Sequence, residues 1–321
     1  GLFVAIVVVG LIFTLTTPNN SFLTTDVLIS LLRSMASIAI MAFGLTIVIV
    51  VGEIDLSVGA IYGIAANSVA AMWILDGIPV YLSMLLGLAI GAVVGLFNGV
   101  LVTWLRIPSF IVTLGSYNLL YGFSLLVSNT STFNPAYPPE GHDVPKSELS
   151  FFGDLTKQLG SHNFSAEIFW MIGLALVVGF LLHRSLFGFR LLAIGGNPTA
   201  ARLARLPVRR YKILAFVIGG VLAALAGILD FSFIQTVQPD SGLSSTFPVF
   251  AAVIIGGASL TGGKGTVIGT IGGALLLAEI TTGLALLSLG AYAQQLFLGI
   301  VTITAVALDV FLTRLTARRA A

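Results

Sequence analysis

Apolar runs of about 20 residues recur from one end of this chain to the other, and they restrict its fold more than any motif does. They lie near 2–17, 35–51, 57–75, 80–104, 108–128, 165–183, 212–234, 247–261, 266–289 and 291–312. A helix needs about 20 apolar residues to cross roughly 30 Å of hydrocarbon. In lipid every backbone N–H and C=O must also find its partner inside the protein, which leaves helices or closed barrels. Runs of this length predict an all-α integral membrane protein with about ten transmembrane helices, one transmembrane domain over residues 1–321. The composition excludes the soluble alternative. Hydrophobic residues make up 57% and charged residues 9%, against about 25% charged in soluble domains. The run at 247–261 is short and ends among glycines, as expected of a broken or re-entrant helix.

The few charges are sorted. Arg184, Arg190, Arg202, Arg205, Arg209, Arg210 and Lys212 crowd together between two apolar runs. Basic loops stay on the cytoplasmic side of a membrane, so residues 184–211 are expected there. Alternation then puts Arg106, Lys264, Arg314, Arg318 and Arg319 on the same side and both termini in the cytoplasm. Only Arg33, Lys146 and Lys157 fall outside. Asp26 and Arg33 precede the second run, in a stretch expected to be amphipathic at the outer interface. Residues 129–164 form a long polar extracytoplasmic loop with Glu140, Asp143, Glu148 and Asp154, either a solvated connector or a docking or lid surface. The chain opens at Gly1 without Met or a signal-like basic segment, so a short native N-terminus is expected before it. With no cysteine, and with His142, His162 and His183 scattered, no cofactor or metal is expected.

Within the basic loop, Asn197-Pro198 is a helix start: Asn caps, and Pro is preorganised at the first helical position. A helix over 198–206, stopped by Pro207, would be about 14 Å long. Ala200, Leu203 and either Leu206 or Pro207 would line one stripe, and Arg202, Arg205 and Arg209 another. Ala201 completes the small apolar body. A loop that served only to set topology would need the charge but no capped helix.

Two further stretches lie at the inner face. Gly52-Glu53-Ile54-Asp55-Leu56-Ser57-Val58-Gly59 joins the second and third runs. Acids near hydrocarbon are costly, so Glu53 and Asp55 mark function or a partnered structural site. Asp55 is expected to cap the third span. The skeleton Gly-x-x-x-Leu-Ser/Thr-x-Gly returns at Gly256–Gly263, with Gly257 inside it, which suggests a parallel internal repeat. A phosphate-binding loop is excluded there: Ala258 stands where its first Gly belongs, and Gly265 where its hydroxyl does. Close helix packing through small residues accounts for these glycines better.

These residues together resemble the ribose-type permeases of ATP-binding-cassette (ABC) importers for monosaccharides and related small molecules. The resemblance runs through nearly the whole chain. It rests on Gly52–Gly59, Ala193-Ile-Gly-Gly-Asn-Pro-Thr-Ala-Ala-Arg-Leu203, Leu222–Ile228, Gly256–Gly265 and Gly283–Gly290 through Leu308-Asp309. It implies a type II ABC importer-like permease of ten helices per subunit, working as a homodimer or paralogous heterodimer. It also implies an extracytoplasmic sugar-binding protein and a cytoplasmic ATPase subunit that receives the helix at 198–206 as a coupling helix. The chain itself would do no catalysis. Two departures stand out. Thr246-Phe247-Pro248 replaces an acidic Glu-Leu-Asp, and Ala204-Arg205 stands where a Gly commonly follows the coupling-helix leucine.

A stand-alone secondary transporter or channel is the competing class. It would want ionisable residues deep in the spans, for which Asp230, Glu279 and Asp309 are the candidates. A sugar path would want amides, hydroxyls and aromatic faces. Asn67, Asn98, Tyr117, Asn118, Phe231 and Gln235 could supply them, or could instead bridge helices internally.

Overall fold

The computed structural model describes residues 1–160, 164–290, 292–304 and 307. His162, Asp309 and the tail arginines Arg314, Arg318 and Arg319 lie outside the described residues. The helices are α1 (Leu2–Thr16), α2 (Thr25–Val50), α3 (Val58–Ile74), α4 (Val80–Trp104), α5 (Ser109–Ser128), α6 (Lys146–Asp154) and α7 (Glu167–His183). They continue as α8 (Leu186–Gly196), α9 (Pro198–Leu203), α10 (Val208–Ile234), α11 (Thr246–Ile255) and α12 (Val267–Leu286). Among the described residues, α2, α4, α5, α10 and α12 are long and apolar enough to cross a membrane. Helices α7 and α8 make a sixth span if their 64° bend is counted within one. The other apolar runs are helical but shorter, at 15 residues for α1, 17 for α3 and 10 for α11. The tenth run is helical over 292–304.

Helix α10 runs through the middle, packed on α4, α2 and α3, while α12 packs on α2, α11 and α1. The approach of α4 to α10 has a plain cause. Gly87, Gly91, Gly95 and Gly99 recur every fourth residue and so share one face of α4. A Cβ at Gly95 would overlap the Phe216 carbonyl, and Cβ atoms at Gly91 and Gly220 would each strike the other residue's carbonyl.

Helix α2 starts ten residues earlier than its apolar run, so Asp26 and Arg33 sit on the same helix as that run. Asp26, Ser30, Arg33, Ser34 and Ser37 recur at helical spacing along one face. Part of that face meets protein, and the polar residues on it keep the first ten residues of the helix out of the apolar run.

The two ends of the bundle differ. One carries α9 with the connectors 51–57 and 256–266. The other carries α6 and a short antiparallel hairpin, Gln158–Leu159 with Phe164–Ser165. The long polar segment is folded onto this second end. Phe152 of α6 is fully buried between Trp73 and Phe231, with ring centroids 5.1 and 4.9 Å away. Glu148 accepts the Val80 N–H at the start of α4 at 3.0 Å.

Candidate functional site

At the α9 end the cap works as its chemistry requires: Asn197 Oδ1 accepts the Ala200 N–H at 2.9 Å, with Pro198 at the first helical position. The helix is shorter than the 198–206 expected. It ends at Leu203, because Arg205 adopts a left-handed conformation (φ 59°). The Arg205 N–H then bonds to the Arg202 carbonyl at 3.0 Å, and the Leu206 N–H to the Ala201 carbonyl at 3.0 Å. That is a Schellman C-cap with arginine where glycine is usual. The expected stripe is also corrected. Ala201 is the buried side chain, whereas Ala200 is exposed and Leu203 is 81% exposed. Arg202 and Arg205 are exposed too. A capped helix therefore presents one large apolar side chain and two guanidiniums to whatever lies beyond this end.

Three backbone turns meet directly behind it. The Gly263 N–H donates to the Val50 carbonyl at 2.8 Å. A Cβ at Gly195 would overlap both of these backbones, and one at Gly263 would lie 2.6 Å from the Gly196 Cα. Gly256 and Gly269 fit against each other's carbonyls in the same way. Small residues here bring backbones into contact.

The internal repeat holds for the caps only, and in a shifted register. Gly52 (φ 86°) and Gly257 (φ 87°) are the equivalent left-handed residues, so Gly52 matches Gly257 and not Gly256. The Gly52 and Glu53 N–H groups bond to Ile49 and Val48, as those of Gly257 and Ala258 bond to Ile254 and Val253. Beyond that the connectors diverge. Gly59 is helical and fits against the Gly242 carbonyl and Thr246, whereas Gly263 lies in a turn (φ 75°).

Connector 51–57 brings Glu53, Asp55 and Ser57 into the bundle. Glu53 is ion-paired with Lys212 in the first turns of α10, with side chains 11% and 19% exposed. Past it the backbone is unwound, and its N–H groups need partners that helix geometry no longer supplies. Helix α5 provides them. Ser109 Oγ accepts the Ile54 N–H at 3.1 Å, and Thr113 Oγ1 the Leu56 N–H at 3.0 Å. Asp55 does not cap α3. The residue before the helix is Ser57, and the buried Asp55 carboxylate accepts its N–H at 2.8 Å and its hydroxyl at 2.5 Å. Asn98 donates to Ser57 Oγ at 2.9 Å and accepts from Ser116 at 2.5 Å. A hydrogen-bonded chain thus joins the connector to α4 and α5.

The six residues considered for a sugar path are not gathered in one place. Asn67 is buried and donates to the Gly63 and Gln238 carbonyls at 3.0 and 2.9 Å. Asn98 belongs to the chain just described, and Phe231 packs on Phe152. Tyr117 is half-buried, while Asn118 is exposed and bonds back to Leu114 of its own helix at 3.1 Å. Gln235 is the left-handed C-cap of α10 (φ 56°), its amide donating to the Ser232 carbonyl at 2.5 Å.

Toward the other end is a cluster with no local signal in the sequence. Arg33 is bonded to Asp230 and, at 3.2 Å, to the fully buried Glu167. Tyr62 and Ser37 also donate to Asp230, the latter at 3.3 Å. One cluster therefore ties α2, α3, α7 and α10 together. Asp230, one of the deep acids named from the sequence, is thus paired with a basic residue. Glu279 Oε2 is buried without a hydrogen-bond partner.

A family described as "Branched-chain amino acid transport system / permease component" matches residues 27–306. The chain is similar to the ribose import permease protein RbsC of Escherichia coli (strain K12), at 34% identity over 93% of this chain and 90% of the relative. It is 32% identical to the fructose import permease protein FrcC of Rhizobium meliloti, over 89% and 78% of the two chains. It is 34% identical to the L-arabinose ABC transporter permease protein AraH of Azospirillum brasilense, over 96% and 86%.

Proposed function

The chain belongs to the branched-chain amino acid transport system / permease component family, and from that premise we propose that it is the membrane-spanning subunit of an ATP-driven importer for a monosaccharide or closely related polar solute. Relatives named for ribose, fructose and L-arabinose support the solute class. The observation that carries the coupling role is α9: capped at Asn197 and exposing Leu203, Arg202 and Arg205.

In this reading α9 is a coupling helix docked on a separate cytoplasmic ATPase subunit. An extracytoplasmic binding protein delivers solute to the end carrying α6. A second permease chain, identical or paralogous, completes the path, and each chain contributes ten spans of the type II class. The end carrying α9 and both termini face the cytoplasm, as the placement of basic residues favours. ATP binding to the partner shifts the permease between outward-open and inward-open states. Glu53 and Lys212 lie where α10 leaves the coupling region, so movement of α9 reaches connector 51–57 through them. Gly59, Gly256, Gly257 and Gly263 act in packing and turns, with Asp55 and Ser57 as partnered structure. A secondary transporter would use its deep acids for ion coupling, and the Arg33 pairing of Asp230 removes one of those.

The test is uptake of radiolabelled D-ribose, D-fructose and L-arabinose by cells expressing the permease with its ATPase and binding protein. Uptake of one of these sugars is expected to vanish when the ATPase carries an inactivating substitution. Uptake that survives in that background but collapses with a protonophore would establish the secondary-transporter class instead.

A further inference from the structure

We propose that a crevice at the α6 end is a binding site for a small, neutral, polyhydroxylated solute. This site is separate from all six residues considered for a sugar path. The inference rests on the sugar-import reading above and adds to it a place where the permease itself holds the solute.

The crevice has a volume of about 290 Å³, near the roughly 300 Å³ at which small-molecule sites begin. Ser30, Arg33 and Ser34 of α2 form one wall. Gln158 and Ser165 of the hairpin and Phe233 of α10 form the others. The α2 wall is part of the polar face described above, and polar faces on membrane helices mark water-filled cavities or solute routes.

The charges select the ligand class. Arg33 is already held by Glu167 and Asp230 and lies over the Phe233 ring at 3.9 Å from its centroid. An incoming anion would have to displace a carboxylate that is already paired with Arg33. An incoming cation would meet the guanidinium. A neutral hydroxyl meets neither obstacle. It can accept from the guanidinium N–H groups left over from those pairings, and it can donate to or accept from serine hydroxyls and the glutamine amide. Ile29 and Phe233 supply apolar surface for C–H faces. A ring with hydroxyls on its rim and C–H groups on its faces satisfies both.

The chain has no cysteine, so Ser30→Cys and Ser34→Cys are each single-cysteine reporters. The experiment measures how fast a membrane-impermeant maleimide labels each of them in right-side-out vesicles holding the permease with its ATPase. D-ribose, D-fructose or L-arabinose is added, and uptake of each sugar is measured in parallel in cells with the whole transporter. The sugar that the cells import is expected to slow labelling about tenfold at ten times its Kd. Ser131→Cys, exposed in the 129–164 segment, should be unaffected. Unchanged labelling at both reporters by a sugar that the cells do import overturns the crevice and leaves the import reading intact. Absence of uptake for all three sugars removes the import reading, and the proposal with it. Protection by sulfate or spermidine in place of sugar would overturn the neutral-ligand assignment.

Discussion

Replacing Lys212 by Met leaves Glu53 as an unpaired carboxylate at the base of connector 51–57, and its cost follows from the burial of the pair. Removing one partner of a fully buried ion pair costs about 3–5 kcal/mol. Here the Lys212 and Glu53 side chains keep 19% and 11% of their exposure. Water therefore recovers part of the solvation, and about 2–3 kcal/mol is expected for Lys212→Met. Glu53→Gln with Lys212→Met removes both charges, and the double variant should lie within about 1 kcal/mol of the parent. In a double-mutant cycle that includes Glu53→Gln alone, the double variant should be about 2 kcal/mol more stable than Lys212→Met. Reversible unfolding of the purified permease in mixed micelles, followed by tryptophan emission, reads each variant. The charge swap Glu53→Lys with Lys212→Glu should restore uptake that Lys212→Met lowers. A Lys212→Met variant within about 0.5 kcal/mol of the parent, or a double variant whose cost is the sum of the singles, would refute a stabilising pair at this position.

Two further variants test the packing and the helix end. Gly95→Leu drives a side chain into the Phe216 carbonyl and should prevent accumulation of folded permease, whereas Gly173→Leu, with nothing within 4 Å of its Cβ position, should accumulate normally. Equal yields of the two in detergent-solubilised membranes would show that the α4–α10 approach is wrong. Arg205→Gly should match or exceed the parent's stability by up to about 1 kcal/mol, because glycine adopts φ near 59° without strain, whereas Arg205→Val should lose stability. Thermal melting checks the order, and a less stable Arg205→Gly contradicts the left-handed C-cap.

The spans were legible where hydropathy alone decides them, as for α4, α5 and α12. They were not legible where protein replaces lipid as the surroundings. The first ten residues of α2 carry Asp26, Ser30, Arg33 and Ser34, and they read as something other than a span. The start of α9 could be read because its cap is local chemistry between Asn197 and Ala200. Its end could not, because Arg205 occupies a conformation that its side chain disfavours. The Arg33 pairings join residues 134 and 197 positions apart, which no window along the chain brings together. The glycine face of α4 was available from spacing alone. Side-chain type could not separate lining from bridging roles: Asn67 and Asn98 are the amides a sugar would want, and the structure uses both to hold helices together.

If α9 couples the permease to an ATPase, Leu203 is the side chain through which it docks, and Leu203→Asp probes that contact. Leu203 is 81% exposed, so an aspartate there costs the permease's own fold nothing that melting would detect. Docked against an ATPase, the same side chain would be buried as an unpaired charge, which is costly. The measurement is the amount of ATPase subunit that co-purifies with Leu203→Asp permease, taken beside melting and solute-stimulated ATP hydrolysis. Melting should be parental, with the ATPase lost from the preparation and hydrolysis no longer stimulated. Full co-purification with full stimulation would contradict that docking, and would leave the basic stretch as a signal for topology alone.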